Sequence, residues 1–179
     1  MRNLMFLLAG LLAFFTLTAH ADDAKAPTLT LNTTGFLDQT VLPVLYTCDS
    51  KDVSPEFDWA NLPAKTQSLA LILTDPDAPN GTFYHWVVYD IPPSGVTFPE
   101  GMEKVPAGVM VGKNSFSKER YNGPCPPKGA AHIYLFTLYA LDTKLKLPAG
   151  ADGPAVMKAM QGHIIDKVTL TATYSRWLK

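Results

Sequence analysis

The amino-acid sequence predicts a mostly β fold, an antiparallel Greek-key β-sandwich with one or two short helices near the C-terminus. Three observations support this class. Segments of strand length with alternating or continuous apolar residues recur along the chain, loops containing Pro and Gly separate them, and one segment shows helical periodicity. The 15 Pro and 12 Gly suit many turns between short strands. No repeat or linker divides residues 22–179, so we expect one domain there.

The first half of the chain contains three predicted strands. Thr28–Thr34 alternates apolar and polar side chains, which is typical of a half-buried strand. Val41–Tyr46 is a second extended segment, and Pro43 favours an edge position because proline cannot donate a ladder hydrogen bond. Ser68–Thr74 is a short apolar run bounded by turn residues, which indicates a central strand.

The second half contains three more predicted strands. Tyr84–Ile91 is rich in β-branched and aromatic residues and ends before Pro92 and Pro93. His132–Leu141 is the longest strand candidate, and Val168–Ser175 alternates again near the C-terminus.

One segment, Pro154–His163, is predicted to be helical. Pro154 suits the first helical position because its missing N–H would have no partner there. The apolar side chains that share one face of this helix are Val156, Met157, Met160 and Ile164. A helix this short requires packing against the rest of the fold.

Residues 1–21 have the order of a secretory signal peptide. Arg2 places a positive charge near the start, Leu4–Leu17 is almost entirely apolar, and Ala19-His20-Ala21 forms a small-x-small cleavage pattern. The apolar stretch is short for a membrane span of ~20 residues. We therefore expect cleavage after Ala21, a periplasmic or secreted protein, and no transmembrane segment after cleavage.

The charge bears on the class of partner, and the cysteines bear on a disulfide. The formal net charge is −1 and basic residues are not clustered, which argues against nucleic acid as a partner. Cys48 and Cys125 are the two cysteines, and an exported chain meets oxidising conditions, so we expect a disulfide between them. Two free, buried thiols are the alternative.

Three polar clusters lie where predicted strands meet loops, a common place for functional residues. They are residues 75–79 (Asp-Pro-Asp-Ala-Pro), His85-Trp86, and residues 121–127 (Tyr-Asn-Gly-Pro-Cys-Pro-Pro), which lead into His132-Ile133-Tyr134. Each cluster alone is typical of a turn or of a hydrogen-bonded structural residue. Only the combination indicates a function.

In order and spacing, these clusters resemble the phosphatidylethanolamine-binding protein family, especially its bacterial Raf-kinase-inhibitor-like branch. The resemblance covers nearly all of residues 22–179. The matching segments are Tyr46-Thr47-Cys48-Asp49, Ser54-Pro55 before Trp59, Asp75-Pro76-Asp77-Ala78-Pro79, His85-Trp86-Val87-Val88, Gly123-Pro124-Cys125-Pro126-Pro127, His132-Ile133-Tyr134 and the C-terminal helix and strand through Thr173-Tyr174.

The resemblance implies a Greek-key sandwich with a small pocket at one end that takes phosphate or a phosphorylated headgroup. It implies a binding protein without a cofactor, not an enzyme. The residues implied to bind the ligand are Asp75, His85, Tyr121, Gly123, Pro124, His132 and Tyr134. Asp75 would orient an imidazolium, while the Tyr134 hydroxyl and backbone N–H groups of residues 121–125 would join that ring in donating hydrogen bonds to the anion.

One departure from the family pattern concerns a protein partner. The family's third motif often has Arg between His and Tyr, and here Ile133 takes that place. Side chains alternate along a strand, so Ile133 should point away from His132 and Tyr134, and the pocket should survive. Recognition of a partner through that Arg is not expected. Any protein that an exported chain modulates would have to lie outside the cytoplasm, and the sequence does not identify it.

Two other functions use the same residues. A hydrolase would need a Cys125 thiolate with His132 as its base. A metal-binding protein would use Asp75, His85 and His132, which are suitable Zn²⁺ ligands although their spacing matches no recurring metal motif.

Overall fold

The computed structural model describes residues 28–94 and 97–177. The predicted signal peptide, residues 1–21, lies outside these ranges. The eight strands of the described chain are β1 (Thr30–Asn32), β2 (Thr40–Val41), β3 (Asp58–Ala60), β4 (Ser68–Asp75), β5 (Phe83–Ile91), β6 (Met110–Val111), β7 (His132–Leu141) and β8 (Ile164–Tyr174). The helical elements are a 3₁₀ turn at Val44–Tyr46 and helix α1 at Gly153–Met160. The fold is therefore mostly β with few helices, as the sequence predicts.

The strands form one large sheet and one small one. The six-stranded sheet has the order β2-β8-β7-β4-β5-β6, and β1 pairs with β3 in a two-stranded sheet. All pairs are antiparallel except β2 with β8, which run parallel. The Greek-key connectivity of a sandwich stays a prediction.

The position of β4 at the centre of the large sheet follows from its composition. All its residues except Thr74 are buried, because apolar side chains cover both faces of the strand. Leu69, Leu71 and Leu73 enter the larger core cluster. Ala70 and Ile72 enter a second cluster on the opposite face, together with side chains of α1.

Helix α1 closes that second face. Val156 and Met160 are fully buried against the sheet, and the Asp152 side chain accepts a hydrogen bond from the Ala155 N–H at the start of the helix. The helix is shorter than expected: it ends at Met160, and His163 lies in the turn before β8. None of the helices within the described ranges has the length and apolar character needed to cross a membrane.

Several predicted element boundaries need correction. Val41–Tyr46 is not one extended segment, because Pro43 precedes the 3₁₀ turn and only Val41 belongs to a strand. Ile164 belongs to β8, which begins four residues before the predicted Val168. Strands β3 and β6 are additional to the prediction.

Candidate functional site

Three strand ends converge at one edge of the large sheet. Asp75 ends β4 and pairs with Phe83 at the start of β5, while Thr74 pairs with Leu135 near the start of β7. Because β4 runs antiparallel to both neighbours, its last residues meet their first ones. A cavity of about 150 Å³ lies at this edge. Its lining residues are Asp75, Ala78, Pro79, Phe83, His85, Phe116, Cys125, Pro126, Pro127 and His132.

The Asp75 carboxylate anchors one side of the cavity. It is buried, with 3% of the residue exposed, and Oδ2 lies 2.7 Å from His132 Nδ1. Its second oxygen accepts the Asp77 N–H at 2.9 Å, which closes the turn after β4. Asp77 in turn accepts the Ile133 N–H at 2.8 Å, so this turn is fastened to the start of β7.

His85 also lines the cavity. Its Nδ1 lies 2.9 Å from the Asn122 carbonyl oxygen. A carbonyl can only accept, so Nδ1 carries the hydrogen. Burial lowers the pKa of His85 from 6.5, and this effect exceeds the opposing influence of the Asn122 and Gly123 carbonyls and the Asp75 and Asp52 carboxylates.

Both imidazoles are therefore hydrogen-bonded to the protein through Nδ1. His132 Nδ1 donates to Asp75, and His85 Nδ1 donates to Asn122. In each ring Nε2 is the nitrogen left for an occupant of the cavity.

Tyr134 packs beside both rings and is not among the residues that line the cavity. The ring centroid of Tyr134 is 5.4 Å from that of His85 and 6.5 Å from that of His132. The residue is fully buried, and its hydroxyl has no hydrogen-bond partner within the described part of the chain. Burial, with the nearby Asp75 carboxylate second, raises the pKa of Tyr134, so the hydroxyl stays protonated.

The 121–125 turn contributes differently from the expectation. The Asn122 N–H donates to the His85 carbonyl and the Gly123 N–H donates to Asp52, so neither is free to bind an anion. Gly123 packs so closely that a Cβ there would lie 2.0 Å from the Tyr46 carbonyl oxygen. Gly123 and Pro124 thus shape the turn, while Cys125 and the prolines after it line the cavity.

Tyr121 is placed away from this cavity. Its hydroxyl donates to the Tyr46 carbonyl at 2.7 Å, and its side chain lines a different cavity of about 360 Å³ beside Trp86. The structure therefore brings Asp75, His85 and His132 together without Tyr121.

Two aromatic side chains at the cavity were not among the predicted site residues. Phe83 and Phe116 pack edge to face with centroids 4.8 Å apart, and both approach the His85 ring. Phe83 could have been predicted as a site residue, because residues two apart on a strand point to the same face and Phe83 is two positions before His85. Phe116 lies in an irregular loop that gives no such signal.

Cys48 and Cys125 form a disulfide with a Cα–Cα distance of 5.4 Å, so the Cys125 sulfur is not a free thiolate. Within residues 28–94 and 97–177, no group of three or more His, Cys, Asp or Glu side chains is arranged to hold a metal ion.

Comparison with known proteins gives the family. A family model described as phosphatidylethanolamine-binding protein matches residues 32–175. The chain belongs to the phosphatidylethanolamine-binding protein family. The resemblance inferred from the sequence is therefore confirmed.

Relatives in the family extend over most of the chain. A UPF0098 protein of Methanothermobacter thermautotrophicus is 41% identical over 151 residues, covering 83% of this chain and 99% of that protein. A Mycobacterium tuberculosis protein named as the lipoprotein LppC is 36% identical over 160 residues, covering 89% of this chain and 78% of that protein.

Solved structures of the family share the fold. Escherichia coli YbcL, described as a member of the mammalian family, superposes with a TM-score of 0.79 at 27% identity, covering 84% of this chain and 99% of that one. The homolog CT736 from Chlamydia trachomatis gives a TM-score of 0.76 at 32% identity, covering 83% and 98%.

Proposed function

We propose that this protein is an extracytoplasmic binding protein that holds a small phosphate-bearing ligand in the cavity between Asp75, His85 and His132. One observation carries the proposal. Two imidazoles, the buried His85 and the partly exposed His132, line the same small cavity, each with Nδ1 bonded to the protein, which leaves Nε2 of both rings for the ligand.

His132 is the anion-binding group in this proposal. An anion at Nε2 and the Asp75 carboxylate at Nδ1 would hold an imidazolium between two negative charges. A charge-assisted hydrogen bond of this kind contributes about 1.5–3 kcal/mol. Asp75 itself would repel the anionic ligand, so its role is to orient the His132 ring and to balance its positive charge.

The size and walls of the cavity favour a small ligand. Its volume of about 150 Å³ is well below that of a drug-sized pocket, which is typically ~300–1,000 Å³. Phe83, Phe116 and Pro79 give it an apolar side. A phosphate group with a short organic substituent fits this combination, and the substituent would contact the aromatic side.

Two observations support export. Cys48 and Cys125 are joined as a disulfide, which persists mainly in oxidising compartments. A relative that covers most of the chain is named as a lipoprotein. Both agree with the signal peptide expected at residues 1–21 and with a periplasmic or secreted protein.

Binding without turnover is part of the proposal. The nucleophile of the hydrolase alternative is Cys125, and its sulfur is bonded to Cys48. Modulation of an extracytoplasmic protein partner is proposed on the resemblance alone. At the position where the family often carries Arg, Ile133 is 41% exposed and brings no charge to such a contact.

The test is an NMR and calorimetric titration with inorganic phosphate and phosphoethanolamine. We expect shifts at Asp75, His85 and His132, and a loss of affinity of at least about tenfold in His132→Gln, the effect of losing one charge-assisted bond. His163→Gln is the matched control, because His163 Nδ1 pairs with Asp142 at 2.8 Å but is half-exposed and does not line the cavity.

Two results would contradict the proposal. One is the absence of any shift at the cavity residues on addition of phosphate. The other is equal phosphate affinity in His132→Gln and His163→Gln.

A further inference from the structure

We propose that the cavity selects phosphate groups that carry an ionisable hydroxyl, namely inorganic phosphate and the monoanion of a phosphate monoester, over sulfate and phosphodiesters. This inference rests on the proposed function. It follows from the two histidines being unequal partners: His132 is placed to donate to the ligand, and His85 is placed to accept from it.

The two rings differ first in the group that accepts the hydrogen bond from Nδ1. The acceptor at His132 Nδ1 is the Asp75 carboxylate, whereas the acceptor at His85 Nδ1 is the neutral carbonyl of Asn122. A carboxylate balances the positive charge that an imidazolium brings, and a carbonyl does not. Neutral His85 with its hydrogen on Nδ1 has a lone pair on Nε2, so it accepts a hydrogen bond and cannot donate one there.

The orientation of His85 is fixed by Asn122. The Asn122 N–H donates to the His85 carbonyl at 3.2 Å, while the Asn122 carbonyl accepts from His85 Nδ1 at 2.9 Å. Turning the ring over would replace Nδ1 by a carbon and break the second bond.

Two polar side chains, the buried Asn114 and the partly exposed Asp52, hold Asn122 in turn. Asn114, which is 4% exposed, donates from Nδ2 to the Asn122 side-chain oxygen at 2.9 Å and to the His85 carbonyl at 3.2 Å. Asp52 accepts from Asn122 Nδ2 at 3.0 Å and from the Gly123 N–H at 2.6 Å. These bonds make Asn114 and Asp52 positioning residues for His85.

The surroundings of the ring favour its neutral form. Burial is the largest influence on His85 and lowers its pKa below 6.5. The ionisable groups packed around it are the Asp75 and Asp52 carboxylates, His132 and the Tyr134 hydroxyl, and the 114–123 loop adds the Asn122 and Gly123 carbonyls. The carboxylates and carbonyls oppose the effect of burial without reversing it.

The cavity therefore presents one donor and one acceptor. None of its lining residues within the described chain is Lys or Arg, so a ligand with two full negative charges and no proton meets no cationic lining side chain other than a protonated imidazole, and it also faces the Asp75 carboxylate. A P–O⁻ group facing His132 Nε2 and a P–OH group facing His85 Nε2 satisfy both nitrogens. Sulfate and a phosphodiester lack the hydroxyl and leave His85 Nε2 without a partner.

The experiment compares four probes at pH 7.5 by calorimetry: inorganic phosphate, phosphoethanolamine, sulfate and dimethyl phosphate. Phosphate should bind at least about tenfold more tightly than sulfate or dimethyl phosphate, since an unpaired buried acceptor weakens binding by roughly that factor. Phosphoethanolamine should gain affinity as the pH falls through its second ionisation, near ~6 for a phosphate monoester. In His85→Gln, whose amide can donate as well as accept, the phosphate-to-sulfate ratio should fall toward one.

A second measurement does not depend on a variant. Nitrogen-15 NMR of the unliganded wild-type protein should show His85 at pH 7.5 as the neutral tautomer with hydrogen on Nδ1. Hydrogen on Nε2, or equal affinities for phosphate and sulfate, would overturn the selectivity and leave the proposed binding function standing. If no probe binds at any pH, the proposed function fails and the selectivity fails with it.

Discussion

Removing the Cys48–Cys125 disulfide should destabilise the fold and weaken ligand binding together. The bond ties the segment after the 3₁₀ turn to the turn that lines the cavity. The cleanest perturbation is the double variant Cys48→Ser/Cys125→Ser, compared with the oxidised and the reduced wild-type protein.

The stability change follows from the loop that the bond closes. The two cysteines are 77 residues apart in sequence, and in the chain-entropy model a closure of this length stabilises the folded state by roughly 4 kcal/mol. For a domain of this size that corresponds to a melting temperature about 10 °C lower without the bond. The turn keeps other links to the same segment, among them the Cys48 N–H to the Pro124 carbonyl at 3.2 Å and the Gly123 N–H to Asp52 at 2.6 Å, so the native turn should persist in a looser form.

Urea unfolding followed by tryptophan fluorescence measures the first effect, and phosphate titration measures the second. The reduced unfolded chain is less compact, so the slope of free energy against urea should also increase. Phosphate affinity should fall about three- to tenfold, the scale of ordering one or two side chains again on binding. Reductant added to the double variant is the control and should change nothing. A stability loss below about 1 kcal/mol with unchanged affinity would refute the reasoning.

Three further predictions test the packing, the titration and the helix cap. Gly123→Ala should destabilise the protein by at least about 3 kcal/mol in urea unfolding, because its Cβ would lie 2.0 Å from the Tyr46 carbonyl oxygen. The control is Gly162→Ala, at φ +80° with open space around it, which should cost only ~1–2 kcal/mol of unfolding free energy. Equal losses in the two variants would contradict the close approach at Gly123. Burial lowers the folded-state pKa of His85 from 6.5, so the contribution of the neutral ring to the unfolding free energy is present above pH 6.5 and is lost as the pH falls through the folded-state pKa. His85→Gln should remove that part of the pH dependence of the unfolding free energy. An unchanged pH dependence would count against a buried neutral ring. Asp152→Ala should lower the unfolding free energy by about 1 kcal/mol, since the Asp152 side chain accepts a hydrogen bond from the Ala155 N–H at the start of α1. Asp166→Ala, at a partly exposed position of β8, serves as the comparison with a smaller expected loss.

The parts of the fold that could be predicted are those with a local pattern. β4, β5 and β7 are long and their apolar or aromatic runs have the length of strands, so their existence and most of their bounds follow from the sequence. β3 and β6 have three and two residues, and each exists because a neighbouring strand pairs with it. A segment that short has no periodicity of its own.

The end of α1 shows how two patterns can compete. Ile164 continues the apolar stripe of the helix, which made a longer helical element plausible. Gly162 has φ +80°, a conformation that stops the helix, and Ile164 then pairs with Leu141 as the first residue of β8. The pairing partner is 23 residues away in sequence, so no local pattern could have shown it.

The site was predictable where residues lie on strands and less so where they lie on loops. Asp75, His85 and His132 come together because the ends of β4, β5 and β7 are adjacent. The sequence predicts that backbone N–H groups of the 121–125 turn bind the ligand, but the Gly123 and Asn122 N–H groups donate to Asp52 and to the His85 carbonyl instead. These contacts join residues 71 positions apart for Gly123 and Asp52 and 37 apart for Asn122 and His85, which the sequence does not display.

This division between strands and loops also explains why the two histidines can differ. His132 takes its partner from the neighbouring strand β4, and that partner, Asp75, is buried like the core residues of the sheet. His85 lies on a strand too, but the atom that fixes its ring belongs to the 114–123 loop. That loop is held by Asn114 and Asp52, and the disulfide holds the turn directly after it. Under the proposed function, the tautomer of His85 and the choice of ligand depend on whether the loop stays ordered, whereas anion binding depends on the sheet. Changes in the loop should alter selectivity first, and changes at the strand ends should abolish binding.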